Sequence, residues 1–481
     1  MSNIQKVRTG KFINSLNDGR QVWIDGEKVN DLHKHPAFQG TLNTIQELFN
    51  QLEDGTVRDK VGFVSPITKQ YVHKAFLVPH TIEDLQSRKE AFTFWADQTL
   101  GIMSRLAESG RSYITGWYAS REEFNKYDNE FAEKITRIYE QVRDEDRVVI
   151  SVVADPQVNR AKLQTEQEDP DLFLRIVKET DEGVIIRGAK VMATAVPYAH
   201  DIIVQSFFNF SDKESQYANL MIIPANLPGI HMICRDSYAS LDEETHPLSS
   251  RFDEMDATVV FDDVLVPWDR VLFHHNPEGA AKALIHKRDN SLANHQSVVR
   301  LISKMEFVAG VGFAIAEAIG AEQFLNVQER LGELVIQIET LKALLISAEA
   351  RAEKDEYGTI WPESLSLRIA IDLGASYYPR ALEILQQIGA GGFLQVPSAG
   401  LEKNEVLQGF IEKYYSGAKV SSDVKIKLYK LAWDLIGSPL GARHELYERF
   451  FSGDPVRNYA TRYREYNKEP LISRVEDFLK L

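Results

Sequence analysis

The side chains able to do chemistry are few and lie far apart in the chain. His295 lies three residues before Val298 on a helical apolar stripe, in which Val298, Leu301, Ile302 and Met305 stand at i, i+3, i+4 and i+7. An imidazole on that stripe is either a hydrogen-bonded core histidine or a base facing a cavity. Arg105, in Gly101-Ile-Met-Ser-Arg-Leu, sits near a helix end among apolar neighbours, where a guanidinium complements the dipole of a helix C-terminus. Asp155-Pro-Gln-Val-Asn-Arg160 follows a strand-like run and gathers amide, guanidinium and backbone donors in one turn. Such a turn suits an anionic or carbonyl-rich ligand, though turns of this composition are common. Thr194 ends the strand pattern Gly188–Ala193, with its hydroxyl facing either solvent or a site. Gly389-Ala-Gly-Gly392 follows a helical run and reads as a C-cap or as a backbone approach to a ligand phosphate. Asp31-Leu-His-Lys-His35 holds two close histidines but no neighbouring cysteine, which reads as a solvated turn and not a metal site. The P-loop, the dinucleotide-binding glycine motif, the nucleophile elbow and the zinc-protease helix are all missing.

Three successive textures must position these residues. From about Thr81 to Asp144 the pattern is helical, with Phe124, Tyr127, Phe131, Ile135, Ile138 and Val142 at steps of three and four. From about Arg147 to Phe273 it turns to short β-rich runs: Arg147–Val153, Gly183–Ala193, Asp201–Phe207, Tyr217–Pro224, Gly229–Cys234 and Asp256–Val266. No crossover helix separates them, so an antiparallel sheet or barrel is expected. After Asn276 long helical segments return, at 291–323, 325–355, 362–388, 405–416 and 420–436, and these are expected to pack as a bundle. The expected division is a helical domain over 1–146, a β-domain over 147–275 and a helix bundle over 276–481.

Composition narrows the function. With 55 Lys+Arg against 70 Asp+Glu, the net charge is −15, which disfavours non-specific binding to nucleic acid or an anionic membrane. Cys234 is the single cysteine, so the chain supports neither a disulfide framework nor a cluster needing several thiolates. The first twenty residues lack the apolar core of a secretory signal. The most apolar stretch, Phe307–Leu325, is interrupted by Glu317 and Glu322 and reads as a helix buried in protein. The expected location is the cytoplasm, with no membrane partner.

Longer phrases carry a resemblance. His246-Pro-Leu-Ser-Ser-Arg-Phe-Asp-Glu-Met-Asp256, Val259-Val-Phe-Asp-Asp-Val-Leu-Val-Pro-Trp-Asp-Arg-Val271 and Ser452-Gly-Asp-Pro455 resemble the oxygenase components of the 4-hydroxyphenylacetate 3-monooxygenase family. Arg187-Gly-Ala-Lys-Val-Met-Ala-Thr194 and Asp155-Pro-Gln-Val-Asn-Arg160 do so too. These are two-component flavin monooxygenases, whose relatives hydroxylate chlorophenols and nitrophenols. The resemblance implies an α+β fold of the acyl-CoA-dehydrogenase type: an N-terminal α-domain, a middle antiparallel β-domain or barrel, and a C-terminal helix bundle. It also implies a homotetramer. A separate NAD(P)H:flavin reductase would supply FAD in its reduced form. O2 would be the co-substrate, and a flavin C4a-hydroperoxide would attack an electron-rich aromatic ring. Such chemistry needs water exclusion, a hydrogen bond near flavin N5, and a phenol held close and deprotonated.

By this resemblance Ser151, Val152, Val153 and Ala154 would border the flavin, with Gln157, Val158, Asn159 and Arg160 and with Ser452, Gly453, Asp454 and Pro455. Thr194 would stand by N5. Arg105 would face the phenolate, with Ser109, Ser206 and Arg443 on the substrate side, and His295 would match the catalytic base of the chlorophenol and nitrophenol branch. The Gly389–Gly392 turn resembles the place where this fold meets FAD from a neighbouring subunit. Two departures stand out. Where hydroxyphenylacetate enzymes have Gly-Arg-Ser-Pro-Asp-Tyr, this chain has Ser104-Arg-Leu-Ala-Glu-Ser109; where they have Thr-His, it has Ile150-Ser151. A tyrosine and a histidine that share the phenol oxygen with the arginine are thus replaced by serines, so the substrate is expected to differ from hydroxyphenylacetate. The competing readings are a dehydrogenase or dehydratase of the same fold, and a helical scaffold without activity.

Overall fold

The computed structural model describes residues 12–159, 161–162, 164–206, 210–285, 288–398, 400–401 and 404–480. Its N-terminal helices are α1 (Pro36–Asn50), α2 (Ile82–Gln98), α3 (Ala107–Ala119) and α4 (Phe131–Asp144). Local sequence accounts for their starts. Pro36 occupies the first turn of α1, where no partner for its missing N–H is needed, and the ring of His35 accepts from the Ala37 N–H at 3.3 Å. Asp31 accepts from the His33 and Lys34 amides, so the Asp31–His35 stretch is a turn and a helix cap. Thr81 and Asp84 close a reciprocal capping box on α2.

Ten strands follow in two sheets: β1 (Gln21–Ile24), β2 (Glu27–Lys28), β3 (Val149–Val152), β4 (Arg175–Glu179), β5 (Gly183–Thr194), β6 (Asp201–Val204), β7 (Leu220–Pro224), β8 (Ile230–Cys234), β9 (Asp256–Pro267) and β10 (Val271–Phe273). Two further two-stranded hairpins lie outside them. One sheet runs β2-β1-β8-β9-β5-β4 and the other β10-β7-β6-β3. Most pairs are antiparallel, but β1–β8 and β3–β6 are parallel. This differs from a purely antiparallel sheet or barrel, and β1–β2 comes from the stretch expected to be helical. Parallel neighbours need long connections, and here the first pair is bridged by β2, by α1–α4 and by β3–β7. Local patterning carries no trace of a pairing that distant.

The C-terminal part holds α5 (Ser291–Ala318), α6 (Leu325–Ala350), α7 (Ser364–Gly389), α8 (Glu405–Tyr414), α9 (Ser422–Ile436), α10 (Pro439–Phe450), α11 (Pro455–Glu465) and α12 (Glu469–Leu479). Helix α5 is buried on most of its circumference because it packs on α2 and α3 on one side and on α6 and α7 on the other. It is the hub that joins the N-terminal helices to the bundle. No helix among the described residues is long and apolar enough to cross a membrane.

Candidate functional site

The site begins with a register. Pairing of β5 with β9 sets Asp256 opposite Thr194, at the end of both strands. The Thr194 hydroxyl donates to Asp256 Oδ1 at 2.6 Å. Arg443, on α10, closes on the same pair: Nη2 donates to Asp256 Oδ1 at 2.7 Å and to Thr194 Oγ1 at 3.1 Å, and Nε to Asp256 Oδ2 at 3.0 Å. Arg235 adds a bond from Nε to Oδ2 at 2.9 Å. Burial would raise the Asp256 carboxyl, yet Arg443 and Arg235 hold it well below the usual carboxylate range. The threonine hydroxyl is therefore locked between a carboxylate and a guanidinium.

Four residues along α10 from Arg443, on the same helix face, is Tyr447, and the chain then reaches Phe451. The two rings stack at 5.1 Å between centroids with 5° between planes. Arg443 lies 4.9 Å from the Tyr447 centroid, and Arg105 lies 5.7 Å from Tyr447 and 6.0 Å from Phe451. Arg105 does not sit at a helix C-terminus. It lies in the turn between α2 and α3, one residue before the N-cap Leu106 of α3, so a C-terminal dipole role is ruled out by its place. Glu254 holds that turn, accepting from the Ser104 and Arg105 amides at 2.6 and 2.5 Å. Gly101 allows the approach to α5: its φ is +64°, and a Cβ there would stand 2.4 Å from the Lys304 nitrogen. The Arg105 head group reaches Ser109 Oγ at 3.4 Å. Among the described residues no carboxylate pairs with it. Arg105, Ser109, Thr194 and Arg443 thus form one neighbourhood, joined by Tyr447, Asp256 and Glu254, which the sequence reading did not assign. Asp256 closes one of the resemblance phrases, and the i, i+4 spacing of Arg443 and Tyr447 was a usable signal.

His295 sits elsewhere on α5. It is fully buried, its Nε2 lies 2.9 Å from Glu349 Oε1, and Phe92 meets its ring edge-on at 6.3 Å. Burial, with Arg88 and Lys89 nearby, lowers its pKa, and Glu349 offsets part of this. No hydrogen bond joins it to Arg105, Thr194 or Arg443 among the described residues. The next residue, Gln296, does reach toward the site: its Nε2 donates to Glu108 Oε1 at 3.5 Å, and Glu108 adjoins Ser109. Burial pushes the Glu108 carboxyl up to about 7.

The stretches expected to border the flavin lie at strand and helix ends and in the adjoining turns. Ala154 bridges Val191 on β5, while Asp155 accepts from Lys190 at 2.5 Å and from the Ser206 hydroxyl at 3.0 Å. Ser206 thus braces this turn. Gln157, Val158 and Asn159 are exposed, as is Met192, at 60%, two residues before Thr194. Arg160 lies outside the described residues. The turn Ser452–Pro455 directly follows Phe451; Gly453 has φ +103° and Asp454 caps α11. At Gly389–Gly392 it is Ala390 that takes a positive φ of 42°, Gly392 is pressed by Tyr429, and Gly391 has open space around it. Arg443 Nη1 is buried with no hydrogen bond and with Glu254 Oε2 at 3.7 Å; beside the exposed apolar edge at Met192, this arrangement fits a flat, polar-edged ring such as a flavin.

Comparison with known proteins decides the family. Residues 9–273 match the 4-hydroxyphenylacetate 3-hydroxylase N-terminal model and residues 284–480 match the C-terminal one. The chain belongs to the 4-hydroxyphenylacetate 3-hydroxylase family. It is 38% identical to the 4-hydroxyphenylacetate 3-monooxygenase oxygenase component of Thermus thermophilus, over 98% of both chains. A crystal structure of the oxygenase component of 4-hydroxyphenylacetate 3-monooxygenase with FAD and 4-hydroxyphenylacetate superposes with a TM-score of 0.94, at 37% identity and 98% coverage of each chain. An archaeal 4-hydroxybutyryl-CoA dehydratase from N. maritimus shares the fold alone, with a TM-score of 0.88 at 20% identity over 99% of this chain and 95% of that one. The hydroxylase-family fold is thus of the acyl-CoA-dehydrogenase type, as expected, and the single cysteine separates this chain from enzymes that hold an iron–sulfur cluster on several thiolates.

Proposed function

We propose that this chain is the oxygenase component of a two-component flavin monooxygenase, which uses reduced FAD and O2 to hydroxylate a phenolic ring. The observation that carries this reading is Arg105. It is a half-buried guanidinium without a carboxylate partner among the described residues, set over two stacked rings beside the Thr194–Asp256–Arg443 lock. A cation held this way suits a phenolate oxygen, and the ring faces suit the rest of an aromatic substrate.

In this reading residues 1–146, 147–275 and 276–481 form three lobes that meet at the site, with β1–β2 of the first joining a sheet of the second. Ser151–Ala154, Gln157–Arg160 and Ser452–Pro455 would hold the flavin, and the Thr194 hydroxyl, fixed by Asp256, would stand at its reactive edge. The bound cofactor supplies the activated oxygen. The chain's own work is to exclude water, keep the phenol against Arg105, Ser109 and Ser206, and accept its proton at His295. Arg443 acts in this scheme by orienting Thr194 and packing on Tyr447. A separate NAD(P)H:flavin reductase would deliver the reduced cofactor, and the protein would work in the cytoplasm.

A homotetramer fits the apolar surface of the C-terminal helices. Helix α12 has no buried residue, and its Leu471, Ile472, Val475 and Phe478 are exposed by 55%, 47%, 56% and 85%. A second copy of the chain would cover them.

The test is a screen of phenols with purified protein, reduced FAD, O2 and a generic flavin reductase, with products followed by mass. A product heavier by one oxygen, absent without the protein, is the expected result. Tight binding of oxidised FAD with no oxygenated product from any phenol would favour the dehydrogenase reading; binding of neither redox form would favour a scaffold.

A further inference from the structure

We infer that Glu349 is the positioning carboxylate of the proton-accepting histidine: it holds a proton on His295 Nε2, so that Nδ1 is left as the acceptor for a phenol O–H. The inference rests on the proposed reading that His295 takes the substrate's proton.

The geometry fixes the tautomer. Glu349 Oε1 lies 2.9 Å from His295 Nε2, and an ionised carboxylate can only accept, so the imidazole hydrogen belongs on Nε2. Lys89 holds the other carboxylate oxygen at 2.6 Å, which keeps Glu349 ionised and in place. Burial would raise the Glu349 carboxyl, but its bonds from His295 and Lys89 hold it below its ordinary value. His295 Nδ1 is buried and has no hydrogen-bond partner. A buried acceptor is rarely left unmatched, and the inference assigns the substrate hydroxyl as its donor.

Charged groups reach His295 from two neighbouring helices: Arg88 and Lys89 from α2, and Glu349 from α6. From α3, Glu108 engages the adjacent Gln296 and not His295. Arg88 is spent on the carbonyls of Lys74, Ala75 and Leu77 and on Ser112 Oγ, so it remains a fixed cation. Burial and the two cations keep the resting imidazole neutral and able to accept; Glu349 is the one group among these that favours the imidazolium. In the proton step the phenol O–H bond breaks and its electron pair stays on oxygen. The proton goes to Nδ1, and the new imidazolium is stabilised through Nε2–H by Glu349. The phenolate then has Arg105 as its counter-charge.

The experiment compares the wild type with Glu349→Gln, Glu349→Leu and His295→Asn. Glutamine keeps an oxygen acceptor for Nε2–H but removes the charge; leucine removes both. The probe is 4-nitrophenol, whose phenolate is coloured, titrated onto the flavin-free protein so that the ionisation of the bound phenol is read directly. In the wild type the bound probe should ionise at lower pH than the free probe. His295→Asn should cut this advantage to what Arg105 alone provides, Glu349→Gln should reduce it less, and Glu349→Leu should approach the histidine variant.

Turnover with reduced FAD and O2 is the second readout. In Glu349→Gln the acidic limb of the hydroxylation profile should move to lower pH, because its histidine is a weaker base. In Glu349→Leu hydroxylation should fall between about ten-fold and 10⁴-fold, the range seen when an oriented histidine loses its carboxylate. A purely structural Glu349 would lower the yield of folded protein without moving the limb. If both Glu349 variants ionise the probe like the wild type while His295→Asn does not, the inference fails alone. If His295→Asn also matches the wild type, or the wild type gives no shift on binding, the base reading beneath it fails as well.

Discussion

Arg105→Ala is the sharpest test of the substrate side. The side chain is half-buried and has no carboxylate partner among the described residues, only Ser109 Oγ at 3.4 Å and two ring faces. Removing it leaves no buried charge stranded inside the protein, so the fold should tolerate the change. The turn itself stays anchored, because Glu254 grips the backbone amides of residues 104 and 105 and not the side chain. A fully desolvated charge pair is worth about 2–5 kcal/mol when one partner is cut away. Partial exposure screens the interaction and places Arg105 at the low end, about 2 kcal/mol, or roughly a thirty-fold rise in substrate Kd. Arg105→Lys keeps a charge but loses the planar fork that suits a single oxygen beside a ring, and should fall between the two. The assay is equilibrium binding of a phenol identified as substrate, alongside anaerobic titration with reduced FAD. Phenol affinity should drop while reduced-FAD affinity stays within a factor of two or so. Equal loss of both would make Arg105 a structural residue, and an unchanged phenol Kd would remove it from the substrate site.

Two further expectations concern the surrounding frame. Glu448 is buried between Arg300 and Lys304, at 2.6 and 2.9 Å, and Arg300 also donates to the Gly101 carbonyl, so Glu448→Ala strands two buried cations and should destabilise the protein by about 3–5 kcal/mol in denaturant unfolding; a loss under about 1 kcal/mol would refute this. Burial raises the Glu448 carboxyl, but the two cations hold it down to about 2 against an ordinary 4.5, so its stabilisation is complete above the higher value and is lost as pH falls between them; Glu448→Gln should flatten that part of the stability profile. Because Ser109 and Ser151 stand where hydroxyphenylacetate enzymes have tyrosine and histidine, 4-hydroxyphenylacetate should turn over poorly, and Ser109→Tyr should improve it; efficient, coupled turnover by the wild type would refute the substrate argument.

The limits of legibility follow from distance along the chain. Long helices and the central strands carry their period in the sequence, so α5 and the β5–β9 pair lie within a few residues of the expected positions. The β1 strand escaped because four residues paired to a distant parallel neighbour leave no periodic signal. The helix-end expectation for Arg105 fails because the helix before it stops at Gln98, and a turn carrying positive φ at Leu100 and Gly101 intervenes. The partners of the named residues were harder still. Thr194 meets Arg443 across 249 positions and His295 meets Glu349 across 54. Periodicity says which face of α5 or α10 is apolar, but not which side chain of another helix will be opposite. Resemblance names Thr194, Arg443 and His295 and carries Asp256 in one of its phrases, whereas the contacts that Asp256, Tyr447 and Glu349 make with them arise only in the fold.

Taken with those partners, the residues obey one charge argument. In the proposed reaction a neutral phenol must become an anion to be attacked by an electrophilic oxygen, which creates two opposite charges in a low-dielectric site. In the proposed scheme each would have a counter-charge: Arg105, unpaired among the described residues, for the phenolate, and Glu349 for the imidazolium. The Thr194–Asp256–Arg443 lock, by contrast, is already balanced, with a carboxylate shared by Arg443 and Arg235. It can orient a hydroxyl without taking up or releasing a proton. That division assigns titration to one part of the site and rigidity to the other. It follows that the pH dependence of hydroxylation should respond to Glu349 and His295, and that replacing Thr194 should change coupling without moving the acidic limb.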